Sequence, residues 1–213
     1  MRVPIKYRAL ALMLAVSIPA GCDQGQLLAK IWEGVQEAQK KTLNACGKIT
    51  ETRTSTLLAR PKIFRGEFCA DGASKFSLEY KEPERVRLKF NGEFLNVSAG
   101  SGGLNTEAIR VGHHVRRTQK YFSRDNSIDN LKKEFVIEAR EDGAVYELKL
   151  VPRSERFAGR INHVVVRLGK TDFTLRSLEV DGKSGVRSVF AIEITSKNTR
   201  LDDALFEVYK PAK

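Results

Sequence analysis

Six residues of the 213-residue chain are suited by type to covalent or metal chemistry: Cys22, Cys46 and Cys69, with His113, His114 and His163. Neither Cys46 nor Cys69 has a CxxC partner, and the histidines lack the spacing that metal ligation requires. His113 and His114 stand together in a polar stretch and read as surface residues. No GxSxG, HExxH, P-loop or glycine-rich dinucleotide fingerprint occurs. Acids are plentiful, yet none is set apart by spacing as a general acid or base. The chain is therefore expected to be neither an enzyme nor a holder of a cofactor or metal. Thiol chemistry is what remains.

The first 22 residues give the cysteines their context. Arg2, Lys6 and Arg8 form a positive n-region, and Ala9–Ile18 is an apolar h-region. The longest uncharged run, Ala9 to Cys22, is 14 residues, too short for a transmembrane helix of about 20. Small residues follow, as at a secretory cleavage site. Residues 1–21 are read as a signal peptide and 22–213 as one domain. Ala20-Gly21-Cys22 resembles the bacterial lipobox, although Pro19 stands where that pattern prefers Leu. The resemblance implies cleavage before Cys22 and its lipidation. Ordinary cleavage nearby, leaving a free or oxidised Cys22, is the alternative. In enteric bacteria Asp23 would imply retention at the inner membrane, but that rule does not carry to every phylum.

Export places Cys46 and Cys69 in an oxidising compartment, where an even pair invites a disulfide. A hairpin turning near 57–61 pairs positions whose numbers sum to about 116–119, the range set by the hairpin turn itself. Cys46 and Cys69 sum to 115, close to that range.

The chain carries 37 Lys and Arg against 26 Asp and Glu. Without Arg2, Lys6 and Arg8 the balance is 34 against 26, or +8. The charges are interleaved, and no aromatic-basic motif of the RNP type occurs, so a nucleic-acid partner is not expected. The excess is either a solvated surface or an attraction to anionic headgroups.

The elements that would position any site are mostly strands. One strong helix is predicted over Gln26–Thr42, where Leu28, Ile31, Trp32, Val35 and Ala38 share a face. Gly34 weakens it, and Gly47 reads as its stop. Thr50, Thr52, Thr54 and Thr56 then alternate as in a strand. Phe64, Gly66 and Phe68 share a face, as do Phe76, Leu78 and Tyr80, and Val86, Leu88 and Phe90. Asp71-Gly72, Asn91-Gly92 and Pro83 mark turns. The stretch 98–126 is hard to read, and Ser127–Glu134 suggests a short helix. Strands resume at Phe135–Ala139, Val145–Val151, Ile161–Leu168, Thr174–Val180, Ser188–Ser196 and Leu205–Tyr209. No helix alternates with strand, which argues an antiparallel meander. One helix and a short second one do not cover so many strands. A curved sheet with an incompletely filled concave face follows, and such a face is a ligand-site hypothesis.

Along nearly the whole mature chain the sequence resembles the bacterial outer-membrane lipoprotein-carrier family, LolA and the related LolB. The resemblance is carried by the helix Leu27–Lys41, LLARPKIFRGEF at 57–68 and FSLEYKEPERVRLKFNG at 76–92. It continues through YELKLVP at 146–152, LEVDGKSGVRSVFAIEI at 178–194 and NTRLDDALFEVYKP at 198–211. It implies a mainly β (α+β) fold: a strongly curved antiparallel half-barrel of eleven strands, with helices as a lid over an apolar cavity. Family members shelter the acyl chains of lipoproteins, or in some relatives other lipids, across the periplasm. Two departures stand out. Gly72-Ala73 falls where LolA-type carriers have an Arg-Pro pair, which implies a lid less tightly latched. The anchor implied at Cys22 is LolB-like, whereas the LolA carrier is soluble.

The expected function is that of a lipid-anchored periplasmic carrier or chaperone. Its partners would be acyl chains of lipoproteins or another lipid, the membrane through the anchor, and envelope donor and acceptor proteins. The alternative is an envelope interaction or sensor protein using the same fold with a filled core. Phe76, Leu78, Tyr80, Val86, Leu88 and Phe90, with Phe190, Ile192 and Ile194 opposite, are expected to line the cavity or to be ordinary core.

Overall fold

A computed structural model describes residues 24–72, 74–100, 105–110 and 128–209. The signal segment, Cys22, Ala73, His113 and His114 lie outside the described residues.

Helix α1 spans Gln24–Lys41 and buries Leu27, Leu28 and Ile31. Lys40 and Lys41 occupy its last turn, where cations oppose the negative end of the helix dipole. The strands follow as β1 (Asn44–Ser55), β2 (Lys62–Asp71), β3 (Lys75–Glu82), β4 (Val86–Phe90), β5 (Phe94–Ala99) and β6 (Asn105–Arg110). Then come α2 (Ile128–Glu134), β7 (Phe135–Asp142), β8 (Val145–Pro152), α3 (Glu155–Ala158), β9 (Ile161–Gly169), β10 (Leu175–Gly182) and β11 (Val186–Lys197).

The eleven strands form one antiparallel sheet in the order β6-β5-β4-β3-β2-β1-β11-β10-β9-β8-β7. Within each half, strands pair with their chain neighbours, and β1 pairs with β11, so the two halves of the meander meet at the centre. Directly paired residues share a face. Tracing pairs from Phe76↔Phe90 through Phe68↔Leu78, Ile49↔Gly66, Ile49↔Ile192 and Leu178↔Phe190 to Leu148↔Val166 puts the apolar set on one side. That side is concave and carries α1 over its β7–β11 half. The outer face is ionic: Glu147 lies 2.7 Å from both Arg140 and Arg167, and Glu79 is held by Arg85 and Arg87.

The mainly β fold and the curved open sheet are those expected from sequence. Four local expectations are corrected. Gly47 does not end the helix; it lies inside β1, where a Cβ would run into the Glu193 carbonyl of β11. Its missing side chain serves the close approach of two central strands. Leu205–Tyr209 is not a strand: Asp202 caps a 3-10 helix at Asp203–Phe206, accepting from the Ala204 N–H at 3.0 Å. Phe206 is buried there, and the Asn96 amide pairs with the Tyr209 backbone on the outer face. Strands β5 and β6 are additional to the sequence expectation, because an edge of a sheet needs little apolar alternation. Helix α3 is additional too; Phe157 in it packs on Phe135 at 5.2 Å between ring centroids.

Cys46 and Cys69 are directly opposite in the β1–β2 ladder, with Cα atoms 4.1 Å apart, and are joined by a disulfide. Closing a loop of that length stabilises by roughly 3 kcal/mol.

Candidate functional site

The site is built from the β7–β11 half of the sheet and the helix above it. On β8 and β9, side chains at every second position point to the concave side, which sets Leu148 and Leu150 beside Val166 and Val164. Leu178 of β10 continues the row from Val166, and Ile194 of β11 ends it at the seam with β1. Above them α1 presents Leu28, Ile31, Trp32, Val35 and Ala38 at helical spacing.

The two layers meet at their rims and not in the middle. Leu27, Leu28 and Ile31 pack with Ala139, Tyr146 and Leu168. At the other side Leu131 of α2, Phe135 and Leu150 form a cluster that Trp32 joins. Between these clusters lies a cavity of about 490 Å³. Of its 21 lining residues, 17 are apolar; the others are Gln39, Thr42, Thr174 and Lys197. Phe173 forms part of the wall with its ring seated where a side chain on Gly34 would stand. Gly34 is thus the helix position that admits the ring, which also stacks on Tyr146 at 5.7 Å.

Among the described residues the lining holds no carboxylate, and a protein surface that buries only hydrocarbon and a few terminal polar groups selects an apolar ligand. Among the described residues no cluster of His, Cys, Asp and Glu is disposed to hold a metal. His163 lies on the outer face, 3.7 Å from Glu179 and 3.5 Å from Asp181, away from the cavity. No helix among the described residues is long and apolar enough to cross a membrane.

Of the residues expected to line a cavity, Ile194 does so. Phe76, Leu78, Tyr80, Val86, Leu88, Phe190 and Ile192 belong instead to a second cluster with Ile49 and Phe64, and Phe90 is buried on the same face. These residues meet one another across β1–β4 and β11, several of them half-buried, whereas the space under α1 falls over β8–β10. The lining residues that sequence reasoning missed include Leu148, Leu150, Val164, Val166, Leu168 and Leu178. Their alternation is visible in the sequence, but nothing there says which half of the sheet the helix covers.

The second cluster contains one carboxylate. Glu51, 2% exposed, shares the concave face with its partners Phe64 and Phe190. It accepts from the Tyr80 hydroxyl at 2.9 Å, Ser188 Oγ at 2.9 Å, and Arg53 Nε and Nη2 at 2.9 and 2.7 Å. Burial, then the neighbouring carboxylate, pushes the Tyr80 hydroxyl pKa up, so it stays a donor.

No protein-family model and no curated protein matches the sequence. Solved structures do resemble it. An uncharacterized conserved protein from Thermus thermophilus aligns at a TM-score of 0.50 and 13% identity, covering 86% of this chain and 94% of that one. A LolA superfamily protein from Nitrosomonas europaea gives 0.42 and 12%, covering 84% and 97%. The lipoprotein LppX of Mycobacterium tuberculosis gives 0.45 and 11%, covering 84% and 98%. At these identities the likeness concerns the fold. That fold has eleven strands in an open curved sheet and a helix on its concave side.

Proposed function

We propose that this chain is a lipid-anchored carrier or chaperone at the periplasmic face of a bacterial membrane, sheltering acyl chains of lipoproteins or another lipid under α1. The observation that carries the reading is the cavity: about 490 Å³ walled almost wholly by hydrocarbon, beneath α1. A filled concave face would have favoured an interaction or sensor protein; here the space under α1 is left open. Burying ten methylenes at about 0.8 kcal/mol each supplies about 8 kcal/mol before the costs of association. Export and the anchor at Cys22 are inferred from the n- and h-regions and the Ala-Gly-Cys sequence. Donor and acceptor proteins of the envelope would complete the route.

The test is a fluorescent fatty-acid titration of the wild type beside Leu178→Glu and Val166→Phe. A carboxylate at Leu178 has no partner in an apolar wall, which costs several kcal/mol, so binding is expected to fall below detection. Val166→Phe fills the space without adding charge, and its affinity is expected to drop at least tenfold with unchanged circular dichroism. Wild-type affinity in both folded variants, or no binding by the wild type, would end the acyl-chain reading.

A further inference from the structure

The cavity is polar at one end only. Gln39 and Thr42 stand where α1 finishes, and Thr174 and Lys197 face them from the sheet. The opposite end is walled by Trp32, Leu131, Phe135 and Leu150. Trp32 and Gln39 are seven residues apart, about 10 Å along the helix axis at 1.5 Å per residue. Lys197 is exposed, so its end is the mouth.

The sign of that mouth is set by Lys197. Its Nζ donates to Thr174 Oγ1 at 2.8 Å, and no carboxylate among the described residues lies within ion-pair distance of it. Asp172, the acid that feels its charge, is bound to Arg176 at 2.8 Å. Helix C-termini carry partial negative charge, but here Thr42 Oγ1 donates to the Ala38 carbonyl and Asn198 Nδ2 to the Lys41 carbonyl. An ammonium held by a neutral hydroxyl, at the open end of a hydrocarbon tunnel, is suited to an anionic head on an apolar tail.

From this geometry we infer that the cavity binds an acyl amphiphile with an anionic head, the head at Lys197 and Thr174 and the tail running along α1 to Trp32. The inference rests on the acyl-chain reading above and names the ligand class within it. Its chemistry is shared by a free fatty acid and by a lipid with one acyl chain and a phosphate head.

Trp32 is the only tryptophan of the chain, and it lines the deep end, so its emission reports on the tail. The experiment titrates the full chain with palmitate, lysophosphatidylglycerol and hexadecanol below their aggregation concentrations, in wild type, Lys197→Gln and Lys197→Glu. Lys197→Gln removes the charge and retains a donor for Thr174. The expected result is that at least one anionic ligand binds the wild type about fivefold more tightly than hexadecanol, the size of an ion pair at an exposed site. Preference for palmitate assigns a carboxylate head, and preference for the lysolipid a phosphate head. Lys197→Gln is expected to abolish the preference and Lys197→Glu to reverse it, with hexadecanol affinity unchanged within twofold. Equal affinity for all three ligands in every protein would overturn the head-group assignment and leave the acyl-chain reading standing. No change of Trp32 emission with any ligand, with no binding detected by calorimetry, would overturn both.

Discussion

The Glu51 cluster offers the sharpest test of how the concave face is held. Glu51 on β1 reaches Tyr80 on β3 and Ser188 on β11, so one carboxylate ties together strands on both sides of its own. Replacing Tyr80 by Phe removes one donor and leaves the carboxylate its Ser188 and Arg53 bonds. A bond to a charged acceptor is worth about 1.5–3 kcal/mol, and with the other donors present the loss is expected near the lower figure. Replacing Glu51 by Leu strands the buried Tyr80 hydroxyl and adds the loss at Ser188, about 3–4 kcal/mol together. Arg53 adds little, because its side chain is 44% exposed and regains water. In the double variant the stranded hydroxyl is gone, so Tyr80→Phe costs nothing further. The cycle is therefore expected to give a coupling of about 1.5 kcal/mol. The assay is urea unfolding of the disulfide-intact protein, comparing variants with equal m-values. A coupling within about 0.3 kcal/mol of zero would refute the reasoning, showing that the Tyr80 hydroxyl loses nothing with Glu51.

Two further outcomes are expected. Cys22→Ser is expected to leave the protein soluble after cell fractionation, whereas the wild type sediments with membranes; a soluble wild type would refute the anchor. Glu179, nearly buried on the outer face, has its pKa lowered from 4.5 by the hydrogen bond from Arg187, against the opposing effect of burial. A lowered folded pKa contributes stability that is present above the unfolded value and lost as pH falls through the folded one. Glu179→Gln is accordingly expected to destabilise at pH 7 by about 1–2 kcal/mol and to differ less from wild type as pH drops below about 4.5; an offset independent of pH in urea titrations would count against the ion pair.

Much of this architecture is legible in the chain's own pattern, because period is a local property. The helix face Leu28, Ile31, Trp32, Val35 and the alternation Phe76, Leu78, Tyr80 follow from backbone geometry that needs no tertiary partner. The Cys46–Cys69 pairing is legible for the same reason, since a hairpin fixes its own register within a few residues. The LolA resemblance adds the strand number and the lid. What periodicity cannot carry is which apolar faces satisfy one another. Phe76 and Leu88 alternate as cleanly as Leu148 and Val166, yet the first pair rests half-buried against the Ile49, Phe64, Leu78 and Tyr80 cluster and the second borders a cavity. That difference arises from where α1 lies across the sheet, which depends on Gly34 admitting the Phe173 ring and on rim contacts such as Ile31 with Tyr146 and Leu168. Glu51 is a second case: its charge suits a solvated face, and only the convergence of Tyr80, Ser188 and Arg53 makes it a buried carboxylate on the apolar side. The sequence by itself determined α1, most of the strands and their faces; the tertiary structure alone decided which faces close and which leave room, because volume is settled between elements that are distant in the chain.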